Sequence, residues 1–153
     1  MKDLHIPTSP HFHIPYALFP GSFDPFTAGH EAIVRRGLAL FDKIYVAVGV
    51  NTEKQYMFSV EERLERIRAC FANDSRVVAI EYRGMTVDLC HQLGIRFILR
   101  GIRDAKDLEY EQTIAAVNHA LDPDIETVLL IADTQHRDIS STLVREQLAH
   151  QKQ

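Results

Sequence analysis

Five short apolar runs, each followed by a stretch with helical spacing, constrain this chain more than any other feature. The runs cover residues 14–19, 43–50, 76–82, 95–99 and 125–132. Their apolar residues are continuous rather than alternating, as in strands covered on both faces. The first helical stretch starts near Ala28 and sets Ile33, Gly37, Leu40 and Phe41 on one face. The second opens with a capping box, Ser59-Val60-Glu61-Glu62. Its buried stripe is Val60, Leu64, Ile67 and Phe71, with Arg63, Glu65, Arg66 and Arg68 toward water. A short helix runs from Thr86 to Leu93 and is ended by Gly94. A long one covers 105–121 and is broken by Asp122-Pro123, and the last starts at Ser140-Ser141 and ends near His150.

Strands alternating with helices imply parallel pairing through right-handed crossovers. The reading is an α/β chain with a single Rossmann-like domain: a doubly wound, five-stranded parallel sheet with helices on both faces. Residues 14–153 form that domain, and 1–13, rich in Pro and His, form an irregular leader. A length of 153 residues suits one core without staples. The long helix is apolar on more than one side: Tyr110, Ile114, Val117 and Leu121 make a stripe, with Leu108 and Ala115 off it. That pattern fits cover by a second subunit, with tight packing within one chain as the alternative.

The stretch Phe19-Pro20-Gly21-Ser22-Phe23-Asp24-Pro25-Phe26-Thr27-Ala28-Gly29-His30 joins the first strand to the first helix. Pro20-Gly21 reads as a turn, and Asp24 or Thr27 as the helix cap. The free N–H groups of a helix start, with the positive end of its dipole, attract anions. His30 falls in that first turn. The other strand ends carry donors too: Asn51, Thr52 and Lys54; Arg83 and Thr86; Arg100-Gly101-Ile102-Arg103; then His136, Arg137, Ser140, Ser141 and Thr142.

With a net charge of −4, such a collection of cations and hydroxyls at one sheet edge is local, and a phosphate site is the reading. Neither nucleic acid nor membrane is an expected partner. No phosphate loop of the P-loop type, Gly-x-Gly-x-x-Gly fingerprint or Gly-x-Ser-x-Gly elbow occurs. Asp24, Asp107 and Glu111 do not compose a metal cage. Cys70 and Cys90 read as small hydrophobes in a reducing compartment, and the N-terminus lacks a signal-peptide pattern, so a cytoplasmic location is expected. The chemistry left is phosphoryl or nucleotidyl transfer, driven by positioning and charge stabilisation.

These residues resemble a known family. Residues 20–25 with Thr27-Ala28-Gly29-His30 are similar to the first motif of the nucleotidylyltransferases. Further matches follow: Lys54 with Met57-Phe58, Glu61-Glu62-Arg63, Arg100 to Arg103, Asp107, Glu109-Tyr110-Glu111, then Ile139-Ser140-Ser141-Thr142 and Arg145. Together they resemble the bacterial phosphopantetheine adenylyltransferases, from about residue 16 to about residue 148. The leader is longer than in that family, His136-Arg137-Asp138 replaces an aromatic-containing segment, and the chain ends earlier than many members.

The resemblance implies transfer of adenylyl from ATP to 4′-phosphopantetheine, giving dephospho-coenzyme A and pyrophosphate. It implies that His30, Lys54 and Arg100 are catalytic, and that Ser22, Lys54, Thr86 and Arg100 bind 4′-phosphopantetheine. The implied ATP site comprises Ser22, Phe23, His30, Gly101, Ile102, Arg103, Glu111, His136, Arg137, Asp138, Ile139, Ser140, Ser141 and Thr142. Mg²⁺ would arrive with ATP, coenzyme A would act as a feedback ligand, and the assembly would be a homohexamer. The alternatives are a cytidylyltransferase or mononucleotide adenylyltransferase, and a non-catalytic nucleotide-sensing module.

Overall fold

The computed structural model describes residues 15–133 and 140–151. Within them the chain alternates β1 (Tyr16–Gly21), α1 (Ala28–Gly37), β2 (Lys43–Gly49), α2 (Val60–Cys70), β3 (Val77–Tyr82) and α3 (Thr86–Leu93). It continues with β4 (Phe97–Ile102), α4 (Ala105–Leu121), β5 (Glu126–Ile131) and α5 (Ser141–Gln151). All strand pairs are parallel, in the order β3-β2-β1-β4-β5. The Rossmann-like reading holds. The chain reverses its direction of winding between β1 and β4, which is where an open α/β sheet holds its ligand.

Two apolar layers sandwich the sheet. One joins Ile33 and Val34 of α1 and Leu64 and Ile67 of α2 to Phe19, Val46 and Leu99. The other joins Val87, Leu89 and Cys90 of α3 to Leu18, Ala47 and Ile98. Gly37 allows α1 to approach closely, since a Cβ there would lie 2.7 Å from Leu99 Cδ2. Gly94, at φ +67°, ends α3 in the left-handed conformation that glycine adopts without strain.

Several local expectations are corrected. Pro20 and Gly21 are not a turn: they extend β1, opposite Ala47 and Val48. The Pro20 carbonyl faces β4, where it accepts a bond from Arg100, so its missing N–H faces that side as well. The β1–β4 ladder has only Ala17↔Phe97 and Leu18↔Ile98, and a proline beyond Leu18 costs no ladder bond there. β4 is shifted toward the C-terminus, so Arg100, Gly101 and Ile102 are strand residues opposite Leu129, Leu130 and Ile131. Leu40 lies past the end of α1 and is 49% exposed. Arg63 does not face water. It is buried at 2% exposure.

On α4 the inward positions are Glu111, Ile114, Ala115 and Asn118, and only Glu111 is fully buried. Tyr110, Val117 and Leu121 of the predicted stripe are exposed, as are Leu108 and the nearby strand residue Ile131. A carboxylate at the centre of the inward face explains why apolar periodicity misplaced that face. Residues 1–14, 134–139 and 152–153 lie outside the described residues.

Candidate active site

The start of α1 orients the histidine. Thr27 is the cap, and the reciprocal partner in its capping box is His30 rather than a glutamate. The His30 N–H donates to Thr27 Oγ1, and the Thr27 N–H donates to His30 Nδ1 at 3.0 Å. A ring nitrogen that accepts from the backbone carries no proton, so the proton of neutral His30 is on Nε2. The ring stacks on Phe26 with centroids 5.4 Å apart and meets Phe23 edge-on at 5.0 Å. Burial, with Arg100 and Arg103 nearby, lowers its pKa from the ordinary 6.5 to about 4. At neutral pH His30 is therefore an uncharged donor, held in one tautomer.

Arg100 of β4 and Glu111 of α4 form the central pair. The guanidinium donates through Nε and Nη2 to the Glu111 carboxylate at 2.8–3.1 Å, and through Nη1 to the Pro20 carbonyl. The Glu111 side chain is 5% exposed and that of Arg100 27%. Arg100 fills the place where β1 and β4 separate. One turn earlier on α4, Asp107 accepts from the backbone N–H and Nε of Arg103, both at 2.9 Å. That bonding holds the Asp107 carboxyl below its ordinary pKa.

Two clefts meet at the Arg100–Glu111 pair. The first, about 250 Å³, is lined by Thr27, Gly29, His30, Gly101, Arg103, Ser140 and Ser141 among others. The second, about 160 Å³, is lined by Pro20, Gly21, Tyr82, Thr86, Ile114, Ala115 and Asn118 among others. Both include Arg100 and Glu111. The Arg100 guanidinium thus faces two adjoining spaces, a shape suited to two anionic groups brought end to end.

The other predicted residues divide. Thr86 lines the second cleft, where its hydroxyl meets Tyr82 Oη at 3.2 Å. Ser140 and Ser141 line the first, while Thr142 is exposed and accepts from Arg145. Ile102 is half-buried in β4 beside Gly101 and lines neither cleft. Ser22 is exposed at the end of β1, and the Phe23 side chain is buried against His30 rather than open to a cleft. Lys54 is exposed on the loop between β2 and α2 and lines neither cleft. His136, Arg137, Asp138 and Ile139 lie outside the described residues. Among the described residues no group of three His, Cys, Asp or Glu is placed to hold a metal ion.

Sequence reasoning missed two supports. Asp24 does not cap α1; its carboxylate accepts from the N–H groups of Met57 and Phe58, both at 2.9 Å. Arg145 and Ser141 of α5 donate to the carbonyls of Asp24 and Pro25 at 2.7 and 3.1 Å. No local pattern signals contacts between residues more than 30 positions apart.

Comparison with known proteins identifies the family. Residues 18–147 match the cytidylyltransferase-like family. The phosphopantetheine adenylyltransferase of Flavobacterium johnsoniae is 49% identical over 134 residues, 88% of each chain. The chain belongs to the phosphopantetheine adenylyltransferase family. A second member, from Porphyromonas gingivalis, is 48% identical over 85% of this chain and 84% of its own. Among solved structures, a bifunctional NMN adenylyltransferase/ADP ribose pyrophosphatase from Francisella tularensis superposes with a TM-score of 0.67 at 16% identity, over 88% of this chain and 42% of that one. The nicotinic acid mononucleotide adenylyltransferase of Plasmodium falciparum gives 0.61 at 16%, over 88% and 83%. At that identity the likeness is one of fold.

Proposed function

We propose that this chain is a pantetheine-phosphate adenylyltransferase that joins ATP to 4′-phosphopantetheine, giving dephospho-coenzyme A and pyrophosphate. The observation that carries this reading is the placement of Arg100 in the walls of two adjoining clefts. The first cleft, at the helix start with His30, Arg103, Ser140 and Ser141, suits a nucleotide triphosphate. The second, partly apolar and reached by Thr86, suits a phosphate on an uncharged arm.

In this reading the phosphate oxygen of 4′-phosphopantetheine attacks the α-phosphorus of ATP. The new P–O bond forms as the α–β bridge breaks, and pyrophosphate leaves with the electron pair. A phosphate monoester loses its second proton near pH about 6, so the nucleophile is already anionic and needs no general base. The protein's task is to hold two anions in line and offset their charge. Arg100 holds the attacking phosphate, His30 Nε2–H donates to the α-phosphate, and Lys54 reaches in from the 51–58 loop. Ser22 and Phe23 act through their place beside the helix start. Magnesium travels with the triphosphate as part of the substrate.

Incubation with ATP, magnesium and 4′-phosphopantetheine should give dephospho-coenzyme A and pyrophosphate in equal amounts. Product from CTP, or from nicotinamide mononucleotide as acceptor, at equal or higher kcat/KM would reassign the substrate. Lys54→Ala should raise the KM for 4′-phosphopantetheine by about 10- to 100-fold, the scale of a lost charge-assisted bond. Unchanged kinetic constants would make Lys54 a surface charge.

We place the enzyme in the cytoplasm as a homo-oligomer; a hexamer regulated by coenzyme A is what the family resemblance implies. Both cysteines are free, and no described helix is long and apolar enough to cross a membrane. The exposed Tyr110, Val117, Leu121 and Ile131 side chains support a subunit contact. Sedimentation at micromolar concentration should show an assembly, and Tyr110→Glu should dissociate it. A monomeric parent protein would remove this reading.

A further inference from the structure

We propose that Asp24 and Arg63 form a clamp that sets the position of the 51–58 loop, and so act as positioning residues for Lys54. The idea that Lys54 serves the acceptor phosphate rests on the function proposed above; the clamp itself rests on geometry. Arg63 is buried, and its Nη1 donates to two neutral groups, the carbonyls of Ser22 at 2.8 Å and Gly49 at 3.2 Å. Its guanidinium carbon lies 4.0 Å from the centre of the Tyr56 ring, and its buried Nε has no hydrogen-bond partner among the described residues. A guanidinium withdrawn from water with incomplete bonding is costly to keep. Its position explains its presence: it ties the end of β1 to the end of β2, where the 51–58 loop departs.

Tyr56 extends that hold into the loop, because its hydroxyl accepts from the Asn51 N–H at 3.0 Å. Asp24 holds the other end. Buried at 4% exposure, it receives the Met57 and Phe58 N–H groups, one on each carboxylate oxygen. Between the two anchors the loop is tightened locally. The N–H groups of Glu53 and Lys54 donate to the Asn51 side chain and carbonyl, both at 3.0 Å. Lys54 therefore projects from a span fixed at both ends to the β1–α1 connection that carries His30. One connection thereby registers the cation of the loop against the donor of the helix.

Limited trypsin digestion tests the clamp without relying on activity. Asp24→Asn presents an amide N–H₂ to a backbone N–H, and Arg63→Lys loses the fork. Each should speed cleavage after Lys54 by about tenfold, with cleavage after Lys106 in α4 unchanged. Both should raise the KM for 4′-phosphopantetheine by about tenfold and leave ATP binding unaltered, and neither should add to the defect of Lys54→Ala. Unchanged cleavage after Lys54 in both variants would overturn the clamp. So would equal acceleration after Lys106, or a full multiplicative defect in the Lys54→Ala background. If the parent protein makes no dephospho-coenzyme A, the functional reading fails while the digestion still judges the clamp.

Discussion

Replacing His30 by alanine should lower kcat by about 10²- to 10³-fold, the cost of removing one donor aimed at developing charge. The ATP dissociation constant should change much less. The ring is locked by Thr27 with its proton on Nε2, and its pKa near 4 keeps it neutral. A neutral donor adds little to a ground state already surrounded by Arg100 and Arg103, and its bond strengthens as oxygen charge builds. Single-turnover rates with calorimetric ATP titration separate the two quantities. Loss of ATP binding with an unchanged rate per bound complex would refute the role.

The same residue has a stability signature. Between pH about 6.5 and about 4 the unfolded chain binds a proton at His30 that the folded chain refuses. Stability should therefore fall as pH drops through that window, by at most about 1.4 kcal/mol per pH unit from this group, and level off below it. His30→Ala should remove that part of the slope in urea midpoints.

Arg100→Ala should be the most damaging single change, because it acts on both clefts and on the fold. It leaves the Glu111 carboxylate buried without its counter-charge and frees the Pro20 carbonyl. Loss of one member of such a pair should cost about 3 kcal/mol in unfolding free energy. Below the melting temperature, the surviving folded protein should still show a large fall in kcat/KM for both substrates. Arg100→Lys should restore charge but not activity, since a point charge cannot bond two Glu111 oxygens and the Pro20 carbonyl together. Wild-type constants in Arg100→Lys would show that only charge matters there.

Much of the fold was legible because burial on both sides leaves a plain mark: strands such as Ile44 to Val48 have no polar face. The capping box at Ser59 and the stop at Gly94 were likewise local signals, and both are observed. Two of the misreadings, at Arg100 and Arg63, share one cause. Apolar continuity ends β4 before Arg100, yet this polar residue is a strand residue whose guanidinium is bonded by Glu111 and the Pro20 carbonyl from neighbouring elements. The charge of Arg63 predicts a place in water, although carbonyls of Ser22 and Gly49 hold it inside. A buried polar residue is satisfied by partners distant in sequence, and periodicity carries no record of them.

The sequence by itself determined the order of strands and helices, the anion-attracting helix start at Thr27–His30 and the family. These follow from local spacing, capping chemistry and motif. Tertiary structure alone decided that Arg100 joins two clefts, that His30 is neutral with its proton on Nε2, and that Asp24 holds the loop of Lys54. Each of those depends on where a charge or a dipole lies in space, and on how far water has been excluded from it.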